Sequence, residues 1–168
     1  MPIEIRPAIA EDAAFMTMML VAAMNWSDAH QLSSADLLAD PQVWNYIADW
    51  PRADDHGLIA ADQAGASLGA CWLRYRPSSS RGFGFLAPDV PELTIGVRAE
   101  ARRAGVGRAL LRDTAKQAQA RGTARLSLSV EQGNPAAHLY RSEGWRVVMS
   151  DVEADTMVLD LLTWPRTS

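Results

Sequence analysis

Residues 91–111 read Pro91-Glu-Leu-Thr-Ile-Gly-Val-Arg-Ala-Glu-Ala-Arg-Arg-Ala-Gly-Val-Gly-Arg-Ala-Leu-Leu111. This stretch predicts a short strand from Glu92 to Val97, a basic turn, and a helix that begins at about Val106. The start of a helix leaves several backbone N–H groups without intrahelical partners and carries a partial positive charge. Because Gly105 and Gly107 have no Cβ, a ligand can approach the backbone closely there. The turn is therefore a candidate binding site for a pyrophosphate.

Two other interpretations of this turn have to be considered. Turns rich in glycine and arginine are common before helices, so the composition alone also fits ordinary turn chemistry. A dinucleotide-binding motif, G-x-G-x-x-G, is excluded because Leu110 occupies the position of the third glycine. The rest of the chain must decide between these possibilities.

Charge is distributed unevenly along the chain. The net charge is −4, which argues against general nucleic-acid binding. The segment from Arg98 to Arg112 contains five arginines and one glutamate, a net charge of +4, so the remainder carries −8. A basic turn on an acidic protein indicates a local anionic ligand.

The length and composition of the chain limit the class of protein to which it can belong. The chain has 168 residues, of which 48% are hydrophobic and 21% charged, and these values predict a single domain over residues 1–168. No apolar run approaches the roughly 20 residues that cross a membrane, and residues 1–6 do not resemble a secretory signal. A single cysteine, Cys71, predicts a cytoplasmic location, and no cluster with metal-ligand spacing is present.

The remaining patterns give the order of elements: a strand, helices, three strands, a helix, a strand, a helix and two strands. The helices include short ones predicted at 35–39 and 42–50, with Asp40 as N-cap of the second. Alternation predicts a strand at 126–130, and Asn134 as N-cap with Pro135 opens another short helix. This order predicts an α/β sandwich around a mixed sheet.

Two motifs carry a family resemblance. The turn contains Arg102-x-x-Gly105-x-Gly107, which is similar to the Q/R-x-x-G-x-G/A motif of the GNAT acetyltransferases. Further along, Asn134-Pro-Ala-Ala-x-x-Tyr140-x-x-x-Gly-Trp145 resembles the second motif of that family, with tryptophan replacing the usual phenylalanine. The motifs occur in the expected order, separated by one helix and one strand.

The resemblance implies the GNAT fold, α/β (α+β), with a mixed, mostly antiparallel twisted sheet that is flanked by helices and splayed between its central strands. It implies direct acetyl transfer from acetyl-CoA to an amine, without an acyl-enzyme intermediate, and allows a homodimer. By resemblance, the residues expected to bind the coenzyme are Ile95, Gly96, Val97, Arg102, Arg103, Ala104, Gly105, Val106, Gly107, Arg108, Asn134, Ala137 and Tyr140.

Glu92 and Tyr140 are the candidate catalytic residues. By resemblance, Glu92 deprotonates the amine directly or through water, and Tyr140 protonates the thiolate leaving group. The alternatives are an exposed charge at a strand end for Glu92 and a packing role for Tyr140. For Gly96, a bulge that frees an N–H of Ile95 or Val97 competes with tight packing under a helix.

The acceptor is the least determined part. Trp26, Phe83 and Phe85 are candidate substrate contacts, because large aromatic side chains in predicted loops need a reason to be there. The acidic excess favours a cationic acceptor. We predict a small-molecule primary amine. An N-terminal or lysine acetyltransferase of proteins or peptides and a catalytically silent acyl-CoA sensor remain as alternatives.

Overall fold

The strands and helices follow the order that the sequence predicts. The computed structural model describes residues 2–29 and 31–165. The strands are β1 (Glu4–Pro7), β2 (His56–Ala61), β3 (Ser67–Arg74), β4 (Glu92–Val97), β5 (Arg125–Glu131), β6 (Arg146–Ser150) and β7 (Ala154–Asp160). The helices are α1 (Ala13–Met24), α2 (Ser34–Ala39), α3 (Pro41–Trp44), α4 (Val106–Ala120) and α5 (Ala136–Ser142).

The seven strands form a mixed, mostly antiparallel sheet, as predicted. Its strands are hydrogen-bonded in the order β1-β2-β3-β4-β5-β7-β6. The pairs β1–β2, β2–β3, β5–β7 and β6–β7 are antiparallel, whereas β4 and β5 are parallel. The register of β5 with β7 includes seven residue pairs, but that of β4 with β5 includes a single pair, Glu92 with Ser127. The two parallel strands are therefore joined at the first residue of β4.

The chain divides into two compact units. Unit 1 contains the residues up to Arg74 together with Thr94–Thr114, and unit 2 contains Tyr75–Leu93 and the residues from Ala115 onward. Strand β4 and helix α4 each contribute residues to both units. The single domain predicted over residues 1–168 stays a prediction.

Unit 1 has a core in which α1 packs with α3 and its following turn and with β2 and β3. The fully buried side chains of Met16, Ile59 and Trp72 belong to it, and Trp72 Nε1 donates a hydrogen bond to Tyr46 O at 2.9 Å. Strand β3 also carries Cys71, which is completely buried. Burial raises the pKa of the Cys71 thiol to about 12.

Two predicted helix boundaries are wrong. The helix predicted at 42–50 ends at Trp44, because the carbonyl of Asn45 accepts a hydrogen bond from Arg74 Nη1 at 2.9 Å and Asp49 has a φ of 58°. Asp40 does cap this helix, since its side chain accepts from Gln42 N.

At the second boundary, Pro135 occupies the N-cap position of α5 in place of Asn134. The Asn134 carboxamide still accepts a hydrogen bond from Ala136 N at 3.0 Å, so it organises the start of the helix from one residue further out.

No helix within the described residues is long and apolar enough to cross a membrane.

Candidate active site

The basic turn after β4 has an irregular backbone with two left-handed residues. A 3₁₀ turn at Ala99–Ala101 follows the strand, and helix α4 begins at Val106. Between them, Arg103 has a φ of 64° and Gly105 a φ of 85°. Left-handed residues alternating with ordinary ones turn successive N–H groups toward a common point, and such concavities bind anions.

The start of α4 adds further donors to this turn. The first backbone hydrogen bond of the helix runs from Ala109 N to Gly105 O at 3.0 Å. The N–H groups of residues 106–108 precede that bond, so they belong to the helical turn that lacks intrahelical acceptors. The helix dipole adds partial positive charge at the same place.

The side chains of the turn face solvent. Arg102, Arg103 and Arg108 are exposed, as are Ala104 and Gly105. Arg98 has a structural role instead: its Nε donates to Ser67 O at 2.7 Å, and its guanidinium lies 5.1 Å from the centre of the Phe15 ring. The turn therefore combines backbone donors with exposed guanidinium groups, which is the donor set that a pyrophosphate requires.

Gly105 has open space around it. A Cβ built at this residue would meet no protein atom within 4 Å, so the protein itself leaves room for a side chain. Gly65 and Gly122 share both properties, a φ of 86° and no atom within 4 Å of an added Cβ. These two glycines are matched controls for Gly105, because they share its backbone geometry and lie outside the basic turn.

Gly96 in β4 is explained by packing. A Cβ at this position would lie against the carbonyl group of Met19 in α1 and 2.9 Å from the Met19 Cβ. Of the two explanations that the sequence allows, tight packing under a helix therefore accounts for this glycine. Ile95 and Val97, the candidates for a free N–H, are half-buried.

Glu92, in unit 2, is a buried carboxylate at the first residue of β4. It is 3% exposed, so the alternative of an exposed charge at a strand end is wrong. Its Cα is in register with that of Ser127 on β5. Burial of a carboxylate in a polar arrangement is typical of functional sites.

The loop before β4 supplies the hydrogen bond that orients this carboxylate. Gly84 N donates to Glu92 Oε1 at 2.5 Å. Gly84 lies directly on the backbone of β5, since an added Cβ would be 2.5 Å from Leu128 C and 2.6 Å from Ser129 N. Sequence reasoning missed Gly84 as a site residue. The only feature of the sequence that could have indicated it is the position of Gly84 between two aromatic residues, Phe83 and Phe85.

Tyr140 lies on α5 and is 8% exposed. Its ring is tilted by 54° against that of Trp145, with 6.3 Å between the ring centres. On the same helix, Ala137 is half-buried and His138 is exposed, and Asn134, which precedes the helix, is half-buried. The two ends of the second motif, Tyr140 and Trp145, therefore lie next to each other.

The candidate acceptor aromatics lie in two different loops. In unit 2, Phe83 is 44% exposed beside Gly84, whereas Phe85 is half-buried under the guanidinium of Arg81 at 5.1 Å. In unit 1, Trp26 is half-buried in a loop closed by reciprocal hydrogen bonds between Asn25 and Leu32.

Within residues 2–29 and 31–165, no three His, Cys, Asp or Glu side chains are grouped so that they could hold a metal ion.

Comparison with known proteins gives a consistent result. Residues 22–145 match the model of the acetyltransferase (GNAT) family. No curated protein sequence matches the chain.

Several solved structures share the fold. The PaiA N-acetyltransferase from Thermoplasma acidophilum, in complex with coenzyme A, is 19% identical with a TM-score of 0.66 over 95% of this chain and 99% of that one. The GNAT superfamily phosphinothricin acetyltransferase from Sinorhizobium meliloti, in complex with AcCoA, is 18% identical with a TM-score of 0.66 over 100% and 93%. The ribosomal-protein-S18-alanine N-acetyltransferase from Escherichia coli is 18% identical with a TM-score of 0.64 over 95% and 94%.

Proposed function

The chain belongs to the GNAT acetyltransferase family, and we propose that it transfers the acetyl group of acetyl-CoA directly to the primary amine of a small molecule. The observation that carries this proposal is the hydrogen bond from Gly84 N to Glu92 Oε1. It connects a buried carboxylate to the loop that bears the exposed aromatic ring of Phe83. Two consecutive loop residues, Phe83 and Gly84, thus hold an apolar contact for an amine near the base at the start of β4.

The turn at 102–108 binds the coenzyme in this proposal. Its N–H groups and the guanidinium groups of Arg102, Arg103 and Arg108 hold the pyrophosphate, and Gly105 allows close approach to the backbone. Ile95, Gly96 and Val97 of β4 contact the pantetheine, as do Asn134 and Ala137 of the second motif. Acetyl-CoA supplies an activated acyl group, and the protein contributes its orientation, which is worth about 7–11 kcal/mol when reactants are ideally placed.

Glu92 acts as the general base. An amine is a nucleophile only when it is neutral, and most primary amines are protonated at neutral pH. Glu92 takes a proton from the ammonium, and the hydrogen bond from Gly84 to Oε1 keeps the carboxylate oriented for that transfer. The amine nitrogen then attacks the thioester carbonyl carbon. A C–N bond forms and the C–S bond breaks.

Tyr140 acts as the general acid. The thiolate that leaves the acetyl group takes the phenol proton, the second proton of the attacking nitrogen is released to solvent as the amide forms, and solvent returns a proton to the tyrosine after the product departs. The contact with Trp145 fixes the ring for this role.

Two alternatives to this proposal remain. The first is an acetyltransferase with a protein or peptide acceptor, and the second is an acyl-CoA sensor that catalyses no reaction. For a protein or peptide acceptor, the loop at 26–34 would contribute to an open groove, whereas a small amine needs only a local contact such as Phe83. A silent acyl-CoA sensor has no use for a buried carboxylate held by a backbone donor, so Glu92 favours an enzyme. A cytoplasmic location and a homodimer remain further parts of the proposal.

An acetylation screen tests the proposal. Purified protein is incubated with acetyl-CoA and a library of small amines, with a set of peptides in parallel, and release of the coenzyme thiol is measured. Turnover with small amines and none with peptides supports the proposal. Turnover confined to peptides supports the protein acceptor. Coenzyme binding without turnover supports the sensor.

Replacement of Tyr140 by phenylalanine should lower kcat by about 100-fold or more, because it deletes only the proton donor. The melting temperature and its rise with acetyl-CoA should stay as in the wild type. Tyr75→Phe is the matched control, since Tyr75 is half-buried and its hydroxyl lies 3.4 Å from Thr123 Oγ1. Equal turnover in Tyr140→Phe and Tyr75→Phe would assign the protonation to another group.

Replacement of Phe83 or Trp26 by alanine should raise the KM of the best acceptor and leave acetyl-CoA binding unchanged. A cation–π contact contributes about 0.5–2 kcal/mol, so an increase of up to roughly 30-fold is expected. Trp44→Ala is the control, because Trp44 is an exposed tryptophan, 43% accessible, at the end of α3. An unchanged KM in both variants would show that the acceptor binds elsewhere.

A further inference from the structure

Helix α5 ends in a backbone motif that involves Tyr140 directly. Trp145 N donates to Tyr140 O at 3.0 Å, and Gly144 N donates to Arg141 O at 3.1 Å. With Gly144 at a φ of 96°, these two bonds define a Schellman motif, in which the residue that donates the outer bond commonly packs on the residue that accepts it. The contact between the rings of Trp145 and Tyr140 is that packing. The position of the Tyr140 ring is therefore tied to the geometry of this helix end.

Trp164 covers the end of α5. Its Nε1 donates to Glu143 O at 3.3 Å, which is the carbonyl at the C-cap of the helix. Its ring lies beside Gly144, since a Cβ added there would be 3.5 Å from Trp164 Cδ1. The last carbonyl groups of a helix have no intrahelical donors, so a side-chain N–H at this place satisfies one of them. The indole thus both packs on the motif and bonds to it.

The segment that carries Trp164 is held by helix α4. Gln119 Nε2 donates to Leu161 O at 2.8 Å and also to Trp164 O. Leu161 is 1% exposed and anchors the start of the segment, whereas Leu162 is 79% exposed. All of these residues belong to unit 2. Residues 161–164 therefore connect the end of α4 to the end of α5, with Trp164 making the contact to α5.

We propose that Trp164 is a positioning residue for Tyr140, which rests on the proposed function of Tyr140 as general acid. The indole acts through the end of α5 and not on the reacting atoms. It keeps the helix end in the geometry that aims the phenol at the leaving thiolate. A displacement of about 1 Å in a catalytic group can cost about 100-fold in rate, so the loss of this contact is expected to appear in kcat.

Three single variants test this role with the best amine acceptor from the screen. Trp164→Ala removes the ring and the donor, whereas Trp164→Phe keeps a ring beside Gly144 and removes the N–H. Leu162→Ala is the control, because it shortens an exposed side chain of the same segment. Both changes at Trp164 are also made in the Tyr140→Phe protein. For each variant, kcat, KM, the melting temperature and its rise with acetyl-CoA are measured.

Trp164→Ala should lower kcat by about 10-fold or more, while the KM of the acceptor and the response to acetyl-CoA stay close to wild-type values. Trp164→Phe should lower kcat by a smaller factor, and Leu162→Ala should keep wild-type kcat. In the Tyr140→Phe protein, neither change at Trp164 should lower kcat further, because effects that act through one group are not additive. If Trp164→Ala does not fold, Trp164→Phe provides the same comparison.

The position of the Tyr140 ring can also be followed by NMR without turnover. The chain has three tyrosines, so a protein with isotope-labelled tyrosine rings gives few signals, and the signal that is absent from Tyr140→Phe belongs to Tyr140. This signal should move in Trp164→Phe, because the phenol ring changes its position relative to the Trp145 indole. It should stay in place in Leu162→Ala.

Three results would overturn the positioning role. The first is the same kcat in Trp164→Ala and Leu162→Ala, the second is an equal loss of kcat with and without the Tyr140 hydroxyl, and the third is an unmoved Tyr140 signal in Trp164→Phe. Failure of the proposed function is recognised separately: the wild-type protein would acetylate no amine, or Tyr140→Phe would keep wild-type kcat, whatever the Tyr140 signal does in Trp164→Phe.

Discussion

Acetyl-CoA is expected to raise the melting temperature of the wild-type protein and to leave that of the Gly105→Val variant unchanged. Protein atoms do not crowd Gly105, because none lies within 4 Å of an added Cβ. If the turn binds the pyrophosphate as proposed, valine at this position blocks the close approach of the ligand to the backbone without meeting protein atoms. The loss of binding should be complete at coenzyme concentrations that saturate the wild type, measured by thermal shift and by calorimetry.

The controls separate this effect from backbone strain. Gly105 has a φ of 85°, so valine there costs of order 1–3 kcal/mol of stability. Gly65→Val and Gly122→Val bear the same strain, since both glycines have a φ of 86° and open surroundings. They should lose similar stability and keep the full response to acetyl-CoA. A folded Gly105→Val variant that still responds would remove the turn from the coenzyme site.

Glu92→Gln should lower turnover by about 10²–10⁴-fold, which is the usual contribution of general acid–base catalysis. Glutamine keeps the shape of glutamate, and its carbonyl oxygen still accepts from Gly84 N, so the fold and coenzyme binding should be preserved. What is lost is the basicity of the carboxylate. The acidic limb of the pH–rate profile should accordingly become flat in the variant.

Glu131→Gln is the comparison for this variant. Glu131 is an exposed residue at the end of β5, so its neutralisation changes the net charge equally and leaves the buried site intact. It should keep wild-type turnover and pH dependence. If Glu92→Gln has the same turnover and the same pH dependence as Glu131→Gln, the amine is deprotonated by solvent and Glu92 has a structural role.

Local patterns were sufficient to predict the elements that contain the site. Strand β4 has the predicted limits, 92–97, and helix α4 begins at Val106 as expected. Both depend on short-range features, an apolar run and a glycine-containing turn before an amphipathic segment. The order of all strands and helices is also confirmed.

Contacts between distant residues were beyond this kind of prediction. The early end of α3 depends on Arg74, which takes the carbonyl of Asn45 from 29 positions away. The burial of Glu92 and its bond to Gly84 depend on how the loop folds back over β5.

The burial of Cys71 has a practical consequence for measuring this enzyme. A thiol with a pKa of about 12 is almost entirely protonated at neutral pH, and only the thiolate reacts with disulfide reagents. A chromogenic disulfide therefore reports the coenzyme released during turnover without a contribution from the folded protein. Unfolding exposes this single cysteine to the reagent. In the absence of substrate, the amount of reagent consumed therefore equals the amount of unfolded protein, because each chain contributes one thiol.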